Sequence, residues 1–270
     1  MTSLLTPEAL TDGLGTRVIG RRVICLERAS STNDRAWTEV AHRAREGTVV
    51  FAEEQTRGRG RLGRAWHSPR GAGVWMSVLL RPDIPVERFP LLTSVGAVAV
   101  AAAVAATIPE PPRVRWPNDV FVGGRKIAGV LAEARDLTAK RPPAVLGIGV
   151  NVNLAPEDFP QELRAFATSL SIEAGAPVDR LRFARRLLVE LDQRYAEVCG
   201  GDLEAFSERW RACLDLLGER VRVKTGGRWH VGRLVDIDPC EGIFLRSDAG
   251  PPHRYRVEHV EMLRPAEPRA

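Results

Sequence analysis

Residues 55–64 read QTRGRGRLGR, a run that places four arginines among three glycines. Glycine lets the backbone adopt positive φ and approach a ligand closely, and each arginine offers a planar, charged fork of donors that matches carboxylate or phosphate oxygens. Three glycines in six positions suit neither a helix nor the interior of a strand. The run therefore predicts a cationic loop that wraps a small anion. A solvated basic loop, or one that contacts nucleic-acid phosphates, is the alternative.

Four more motifs lie on either side of this loop. They are SSTND at residues 30–34, RWPNDV at 115–120, GGRKIAGVLAE at 123–133 and GIGVNVN at 147–153. The five motifs, in this order, resemble those of biotin protein ligases of the BirA type, which make biotinyl-5′-AMP and pass biotin to a lysine of a carrier protein. The resemblance covers about residues 30–153 and is weak beyond them, and the ordered set is far more specific than any single motif.

The resemblance implies an α+β fold with two domains. A mixed β-sheet with flanking helices, similar to class II synthetases, would form the catalytic domain over residues 1–217. An SH3-like β-barrel would form a small C-terminal domain over residues 218–270, and the short strands with glycine turns after Gly218 themselves predict a small barrel. Only about twenty residues precede the first predicted strand, too few for the N-terminal helix-turn-helix domain of many relatives. We therefore expect a ligase without that DNA-binding module.

Hydrophobic patterning and capping signals predict the elements of the first domain. Thr6 and Pro7 suit the start of a short helix, and Ser31 or Thr32 can cap the next one. Predicted helices span residues 31–45, 86–107, 178–198 and 203–213, and predicted strands span 22–28, 48–53, 73–81, 113–116, 120–122, 126–134 and 144–153. Residues 156–168 are predicted to form a loop.

The composition is that of an ordinary globular protein, with 44% hydrophobic and 27% charged residues. The net charge of +5 mildly favours anionic partners without establishing nucleic-acid binding. The four cysteines show no CxxC or CxxH spacing, which favours reduced thiols in a cytoplasm over a disulfide framework or a zinc site. We expect no signal peptide, and the alanine-rich stretch at residues 91–108 predicts a buried core helix in preference to a membrane span.

Adenylate formation joins two anions, so the protein must hold both and neutralise the charge on the phosphorane and the departing pyrophosphate. By the resemblance, Lys126 is the main catalytic candidate, with its ammonium contacting the biotin carboxylate and the α-phosphate. Arg59 and Arg61 would face the same carboxylate and α-phosphate, and Arg64 would reach the outer phosphates. Trp66 would stack near the adenine or, alternatively, pack on the core as a hinge residue.

The resemblance also assigns three overlapping sets of ligand residues. The biotin set is Ser31, Thr32, Asn33, Gln55, Gly58, Arg59, Gly60, Arg61, Lys126, Gly129 and Gly147. The ATP set is Arg59, Arg61, Arg64, Trp66, Asn118, Lys126 and Asn151. The magnesium set is Asn118, Asp119 and Asn151, whose oxygens could hold or orient Mg²⁺ and phosphates. ATP and biotin would be the substrates, and the partner would be a biotin carboxyl carrier protein of an acyl-CoA carboxylase.

Several of these residues also have structural explanations. Residues 31–33 could simply cap a helix, and Asn118 and Asp119 could cap the turn that Pro117 imposes. Arg115 departs from the family, which usually has lysine directly before WPND, and this leaves the charge geometry at the phosphates open. The arginine-rich loop is expected to be mobile without ligand and to order around it.

Two other functions compete with this hypothesis. A lipoate or octanoate ligase shares the fold and a lysine but does not normally combine the GRGRLGR loop with WPND. A nucleic-acid-binding regulator suits the basic loop, yet aromatic stacking motifs are absent, and we expect neither a DNA nor a membrane partner. The carrier would dock through a sheet edge or near the C-terminal domain. The oligomeric state is open.

Overall fold

In the computed structural model, which describes residues 4–247 and 250–266, the chain folds around two β-sheets. The first sheet contains β1 Arg22–Leu26, β2 Thr48–Ala52, β3 Gly73–Leu80, β4 Arg113–Arg115, β5 Asp119–Val122, β6 Arg125–Ala134 and β7 Ala144–Asn151. The helices are α1 Pro7–Thr11, α2 Thr32–Ala41, α3 Pro90–Ala105, α4 Leu170–Ala174, α5 Arg180–Cys199 and α6 Leu203–Cys213. The predicted α+β class is confirmed. Residues 1–3, 248–249 and 267–270 of the two predicted domains lie outside the described residues.

The strands of the first sheet lie in the order β1-β2-β3-β7-β6-β5-β4. β1 and β2 are parallel and are connected through α2, whereas all the other neighbours are antiparallel, so the sheet is mixed as predicted. Gly147 and Gly149 of β7 lie opposite Ser77 and Trp75 of β3. Because side chains alternate between the two faces of a strand, these four residues share one face of the sheet.

Helix α3 covers the other face. Twelve of its sixteen residues are buried, and it is apolar on all sides, which is typical of a helix enclosed in a core. Gly96 allows it to lie close to the sheet, since a Cβ there would be 2.7 Å from Val130 Cγ1. The apolar segment Val86–Ala105 is long enough to cross a membrane, but 72% of its 18-residue apolar window is buried inside the fold. The prediction of a core helix is confirmed.

The second sheet is formed by β8 Arg220–Thr225, β9 Arg228–Asp238, β10 Gly242–Arg246, β11 His253–Tyr255 and β12 Val260–Pro265. Its order is β11-β10-β9-β8-β12, and all neighbours are antiparallel. Gly226 and Gly227, both at positive φ, make the tight turn between β8 and β9. The Trp210 indole of α6 donates to Ile237 O at 3.2 Å and ties the second sheet to the first unit. The predicted small C-terminal β-unit is present; its exact boundary at residue 218 stays a prediction.

Two helix ends differ from the prediction. α2 ends at Ala41 and not near Arg45, because Arg43 adopts a positive φ of 57° and turns the chain out of the helix. α3 begins at Pro90, where the missing N–H of proline is tolerated in the first turn. The preceding residues, Val86–Arg88, form a separate 3-10 turn.

The two predicted helix caps have different outcomes. The hydroxyl of Thr6 accepts a hydrogen bond from Ala9 N at 3.2 Å, so the cap of α1 is confirmed. Ser31 occupies the cap position of α2, but its hydroxyl makes no capping bond. Simple capping therefore does not explain the polar residues at the start of α2.

Candidate active site

A cavity of about 260 Å³ lies on the face of the first sheet that α3 leaves uncovered. Its floor is the glycine-rich part of β6 and β7, and its walls are the start of α2, the Gly-Arg loop (residues 58–64) and the segment 159–167. The predicted ligand residues that line it are Ser31, Thr32, Asn33, Gln55, Arg59, Gly60, Arg61, Arg64, Trp66, Asn118, Asp119, Lys126, Gly129, Gly147 and Asn151. Motifs far apart in the sequence therefore meet in one place.

One end of the cavity is a network of uncharged polar groups. Gln55 Oε1 accepts from Thr32 N at 2.8 Å and from Thr32 Oγ1 at 3.1 Å, and Gln55 Nε2 donates to Ser68 Oγ at 2.9 Å. The Ser77 hydroxyl lies 2.7 Å from Thr32 Oγ1 and donates to Asn33 Oδ1 at 2.6 Å. These bonds hold the side chains of the first helical turn in place around the end of the cavity.

Asn33 presents an unused donor at this end. Its Oδ1 is occupied by Ser77, while its Nδ2 is buried and has no hydrogen-bond partner among the described residues. Gly147 makes room for the amide, since a Cβ at that position would lie 2.2 Å from Asn33 Oδ1. A buried unpaired donor costs about 1–3 kcal/mol. A ligand acceptor placed here would remove that cost.

A second buried donor is the Trp66 indole Nε1, which also lacks a partner in the described part of the chain. The indole lies against the sheet where β6 and β7 carry glycines: a Cβ at Gly149 would be 2.4 Å from Nε1, and one at Gly129 would be 3.2 Å from Cζ3. It meets Trp75 edge to face, with ring centroids 6.4 Å apart. Trp66 therefore packs on the core, as the alternative interpretation proposed, and also forms part of the cavity wall.

Lys126 reaches the cavity because β6 contains a β-bulge. Lys126 and Ala128 pair with consecutive residues of β5, so Ile127 between them has no counterpart. In a regular strand Lys126 would share the α3 side with Ala128. The extra residue places it on the side of Gly129 instead, because a bulge shifts the alternation by one.

The Lys126 ammonium has two neighbours at the cavity. Its Nζ lies 2.7 Å from Asp119 Oδ1 and 5.1 Å from the centroid of the Trp66 ring. Both charged side chains are about 30% exposed, at 30% and 28%. Partly solvated pairs of this kind contribute only about 0–1 kcal/mol. The ammonium can therefore transfer to a more strongly anionic ligand at little cost.

Asn118 and Asn151 are anchored through their amide nitrogens. Asn118 Nδ2 donates to Val130 O at 3.0 Å, and Asn151 Nδ2 donates to Thr168 O at 2.9 Å. Both side chains are buried and line the cavity beside Asp119. Among the described residues, no group of three His, Cys, Asp or Glu side chains could hold a metal ion by itself.

Arg59 is held between α2 and β6. Its Nη1 lies 2.7 Å from Asp34 Oδ1, and its Nε and Nη2 both donate to Glu133 Oε1 at 3.1 Å. Burial acts to lower the pKa of Arg59, but the hydrogen bond to Asp34 and the charge of Glu133 outweigh it and raise that pKa. We predicted that Arg59 faces the biotin carboxylate and the α-phosphate. In the structure its guanidinium is engaged by two carboxylates of the protein instead.

Arg61 and Arg64 bring positive charge to the mouth of the cavity. Burial lowers the pKa of the Arg61 guanidinium, with the attraction of Asp119 opposing this effect and the repulsion of Arg64 adding to it. Its Nη2 makes a long contact of 3.5 Å with Val260 O of β12. Arg64 is exposed. A bound anion would stabilise the positive charge of both arginines. The effect would be larger for Arg61, because its guanidinium is partly removed from water.

Two residues singled out from the sequence lie away from the cavity. Gly58 does not line it and serves loop packing, because a Cβ there would be 2.6 Å from Trp66 O. Arg115 points to Asp215, with Nε and Nη2 at 2.9 and 2.6 Å from Oδ2, and stacks 3.9 Å from the centroid of the Phe121 ring. Its difference from the family lysine therefore does not change the charge within the cavity.

The sequence interpretation missed two parts of the wall. Ser77 is the one hydroxyl residue of β3 and is fully buried, and a lone hydroxyl in an apolar strand is a usable signal, since a buried hydroxyl needs a partner. The other part is the predicted loop, where Phe159, Leu163 and Phe166 line the cavity. Phe166 is 69% exposed. Exposed aromatic surface at the rim of a cavity is typical of ligand contact.

Comparison with known proteins agrees with this geometry. The biotin/lipoate A/B protein ligase family matches residues 25–153, which contain all five motifs. The bifunctional ligase/repressor BirA of Bacillus subtilis is 37% identical over 241 residues, which are 89% of this chain and 74% of BirA. The biotin–[acetyl-CoA-carboxylase] ligase of Mycobacterium tuberculosis is 40% identical over 198 residues, which are 72% of this chain and 71% of that ligase.

The fold has a close counterpart among solved structures. The biotin protein ligase from Aquifex aeolicus in complex with biotin and ATP matches with a TM-score of 0.78 at 27% identity, covering 91% of this chain and 100% of that one. The match includes both sheets, since 91% of the chain reaches well beyond the first domain. The chain belongs to the biotin/lipoate A/B protein ligase family, among its biotin protein ligases.

Proposed function

We propose that this chain activates biotin with ATP to biotinyl-5′-AMP and then transfers biotin to a lysine of a biotin carboxyl carrier protein. The observation that carries the proposal is the division of one cavity into two chemically different ends. Thr32, Asn33 and Gln55 form an uncharged hydrogen-bonding end, while Lys126 and Arg61 form a cationic end. Biotin has the matching polarity, with a neutral ureido bicycle at one end and a carboxylate at the other.

In the first step, the biotin carboxylate oxygen attacks the α-phosphorus of ATP, a P–O bond to the α-phosphorus forms, and the bond to pyrophosphate breaks. Lys126 would bridge the carboxylate and the α-phosphate, because its ammonium is on the cavity face and only weakly held by Asp119. Arg61 and Arg64 would stabilise charge on the α-phosphate and the departing pyrophosphate. No covalent enzyme intermediate is required.

In the second step, the neutral amine of the carrier lysine attacks the acyl carbon of the adenylate. An amide bond forms, the acyl–phosphate bond breaks, AMP leaves with the electron pair, and the amine loses its proton to solvent. The protein's contribution is to keep the mixed anhydride away from water until the carrier arrives. The Gly-Arg loop and the segment 159–167, which wall the cavity, are placed to do this.

Magnesium fits the donors at the cationic end. The donor set there consists of the Asp119 carboxylate and the amides of Asn118 and Asn151, hard oxygen ligands of the kind Mg²⁺ prefers. One carboxylate suits an ion held mainly by substrate phosphates and water. When bound, Mg²⁺ would neutralise phosphate charge and orient the triphosphate.

The polar end of the cavity argues against the rival acids. Away from their carboxylates, lipoate and octanoate carry no amide-like groups that could pair with the hydrogen-bond donors and acceptors at this end of the cavity. Their binding would leave Asn33 Nδ2 unpaired at a cost of about 1–3 kcal/mol. A regulator that binds nucleic acid is also disfavoured by the geometry, because Arg59 is neutralised and the other loop arginines face a concave pocket.

Partner and compartment follow from the same chemistry. The acceptor would be the biotin carboxyl carrier subunit of an acyl-CoA carboxylase, as the names of the relatives suggest. The four described cysteines are free thiols, which fits a reducing cytoplasm. We propose no DNA partner and no membrane partner.

The test is exchange of labelled pyrophosphate into ATP, run with biotin, lipoate and octanoate in parallel. Exchange that requires biotin would support both the adenylate step and the substrate. Exchange with lipoate alone would move the chain to the rival ligase activity. No exchange with any of the three acids would contradict the proposed chemistry.

A further inference from the structure

We infer that Arg59 is a positioning residue: it latches the Gly-Arg loop shut through Asp34 and Glu133, and it does not touch the reacting groups. The inference rests on the proposed function for its kinetic consequences, but the latch itself is a property of the free protein. It assigns a role to two carboxylates, Asp34 and Glu133, that the adenylate chemistry does not use.

The three side-chain nitrogens of Arg59 are all directed at protein carboxylates. Nη1 faces Asp34 Oδ1 at 2.7 Å, Nε faces Glu133 Oε1 at 3.1 Å, and Nη2 faces both oxygens of Glu133 at 3.1 and 3.3 Å. The Arg59 side chain as a whole is 30% exposed. A fork that is satisfied on both sides has little capacity left for a substrate anion, unlike Arg61 or Arg64.

Glu133 is itself anchored. Its second oxygen accepts a hydrogen bond from Trp37 Nε1 at 2.8 Å, and Trp37 is a buried residue of α2. The carboxylate is therefore fixed before Arg59 reaches it, which lowers the entropy lost when the pair forms. This anchoring distinguishes the contact from an ordinary surface ion pair between two flexible side chains.

Trp66 anchors one end of the loop on the core, and the part before it is tied down mainly by its own backbone. Gly60 N donates to Arg64 O at 2.7 Å, and Trp66 N donates to Gly58 O at 2.9 Å, so residues 58–66 form a small ribbon. At its tip Leu62 is 67% exposed and adopts a positive φ of 57°. Within the described residues, Arg59 makes the shortest side-chain contacts between this ribbon and the body of the protein.

The latch also joins the two ends of the cavity. Asp34 lies on α2 directly after Asn33 of the polar end, and Glu133 lies on β6, the strand that carries Lys126 of the cationic end. A single guanidinium therefore holds the loop against both elements that bind the two parts of the ligand. Opening the latch should loosen retention of the adenylate without changing the groups that form it.

Trypsin measures the latch directly, because it cleaves after arginine and the loop contains Arg57, Arg61 and Arg64 beside Arg59. In the free protein we expect Asp34→Asn and Glu133→Gln each to raise the rate of cleavage within residues 57–64 roughly tenfold, as expected for loss of one charge-assisted contact. The glutamine can still accept from Trp37, so the core beneath it is preserved. The control is Glu241→Gln, which removes the partner of Arg254 in a surface ion pair on the second sheet and should leave the cleavage rate unchanged.

Kinetic measurements distinguish a positioning role of Arg59 from a catalytic one. With biotinyl-5′-AMP formed in place, the double variant Asp34→Asn/Glu133→Gln should release it roughly tenfold or more faster than the wild type. Its kcat for pyrophosphate exchange at saturating biotin and ATP should stay within about twofold of wild type. Arg59→Ala should release the adenylate at the same faster rate, and adding the two carboxylate changes to Arg59→Ala should not increase that rate further, since all three remove the same latch.

The opposite result would overturn the inference. If Arg59→Ala lowered kcat sharply while the carboxylate variants kept wild-type cleavage and release rates, Arg59 would be acting on the substrate itself. Failure of the proposed function gives a different pattern: the wild type would show no biotin-dependent exchange, while the trypsin comparison in the free protein would still report whether the latch exists.

Discussion

The indole of Trp66 occupies the space that a side chain at Gly149 would need: a Cβ built on Gly149 would lie 2.4 Å from the indole Nε1. The indole is wedged between this strand and Trp75, so it has no easy direction in which to move. The absence of a side chain at Gly149 therefore determines where the wall of the cavity stands.

Gly149→Ala should displace the Trp66 indole and weaken binding of biotin and ATP. Overpacking of a fitted site costs about 1–3 kcal/mol, which corresponds to roughly five- to 150-fold in affinity. Calorimetric titration with each ligand would measure the loss, and circular dichroism would check that the fold is kept. Wild-type affinity in a folded variant would show that the position of Trp66 does not matter for either ligand.

Ser77→Ala should reduce affinity for biotin by loosening Thr32 and Asn33, which its hydroxyl contacts at 2.7 and 2.6 Å. Removing a buried partner leaves an unsatisfied group worth about 1–3 kcal/mol. The matched control is Ser94→Ala, another buried serine, which lies on α3 across the sheet. Equal biotin affinities in the two variants would contradict a role for the polar network in holding biotin.

Lys126→Ala should slow pyrophosphate exchange by roughly a hundredfold to a thousandfold, the range for loss of one charge-stabilising donor at a reacting centre. Stability should change little, because the pair with Asp119 is partly exposed. Lys140→Ala, at an exposed lysine, is the control and should exchange normally. Normal turnover in Lys126→Ala would remove this lysine from the mechanism.

Arg115→Lys should lower stability and leave the chemistry intact. The guanidinium binds buried Asp215 with two nitrogens and stacks on Phe121, and an ammonium can do neither. We expect the free energy of unfolding, measured with urea, to fall by about 1–2 kcal/mol, with unchanged exchange at saturating substrate. The control is Arg70→Lys, at a surface ion pair, and should be neutral. A large loss of exchange in Arg115→Lys would place this residue at the phosphates after all.

Stability should fall at high pH because of buried thiols. Burial raises the pKa of Cys213 to about 12 from an ordinary value of 9.0. A raised pKa means that the folded state retains the proton longer than the unfolded state does. The resulting stability is complete below pH 9 and is lost as pH rises from 9 towards 12. Denaturation at about pH 8 and about pH 10.5 should show a smaller decrease in Cys213→Ala than in the wild type, and an equal decrease in both would exclude this thiol as a cause.

The ordered motifs made most of the cavity predictable. Residues such as Thr32, Gln55 and Lys126 sit in local patterns that carry a chemical meaning of their own. The structure brings them together around one cavity. The core helix was also predictable, because its uniformly apolar composition depends on no partner.

The contacts that the sequence did not predict join residues that lie far apart in the chain. Arg59 meets Glu133, which is 74 residues away, and Arg115 meets Asp215, which is 100 residues away. An arginine in a sequence carries no sign of whether a substrate or a protein carboxylate will neutralise it. Ser77 was missed for a similar reason, since its partners lie on α2 and only the fold brings them together.

The bulge at Ile127 makes the site depend on strand register as well as on residue type. If β6 paired with β5 regularly through Ile127, with no residue left out of the ladder, Lys126 would move by one position and its ammonium would turn towards the apolar helix α3, where no anion could reach it. A conventional point substitution in the same strand could be absorbed by repacking. The register of β6 is therefore part of the site, and a chain that kept every residue of the motif but paired β6 without the bulge would turn its lysine away from the cavity.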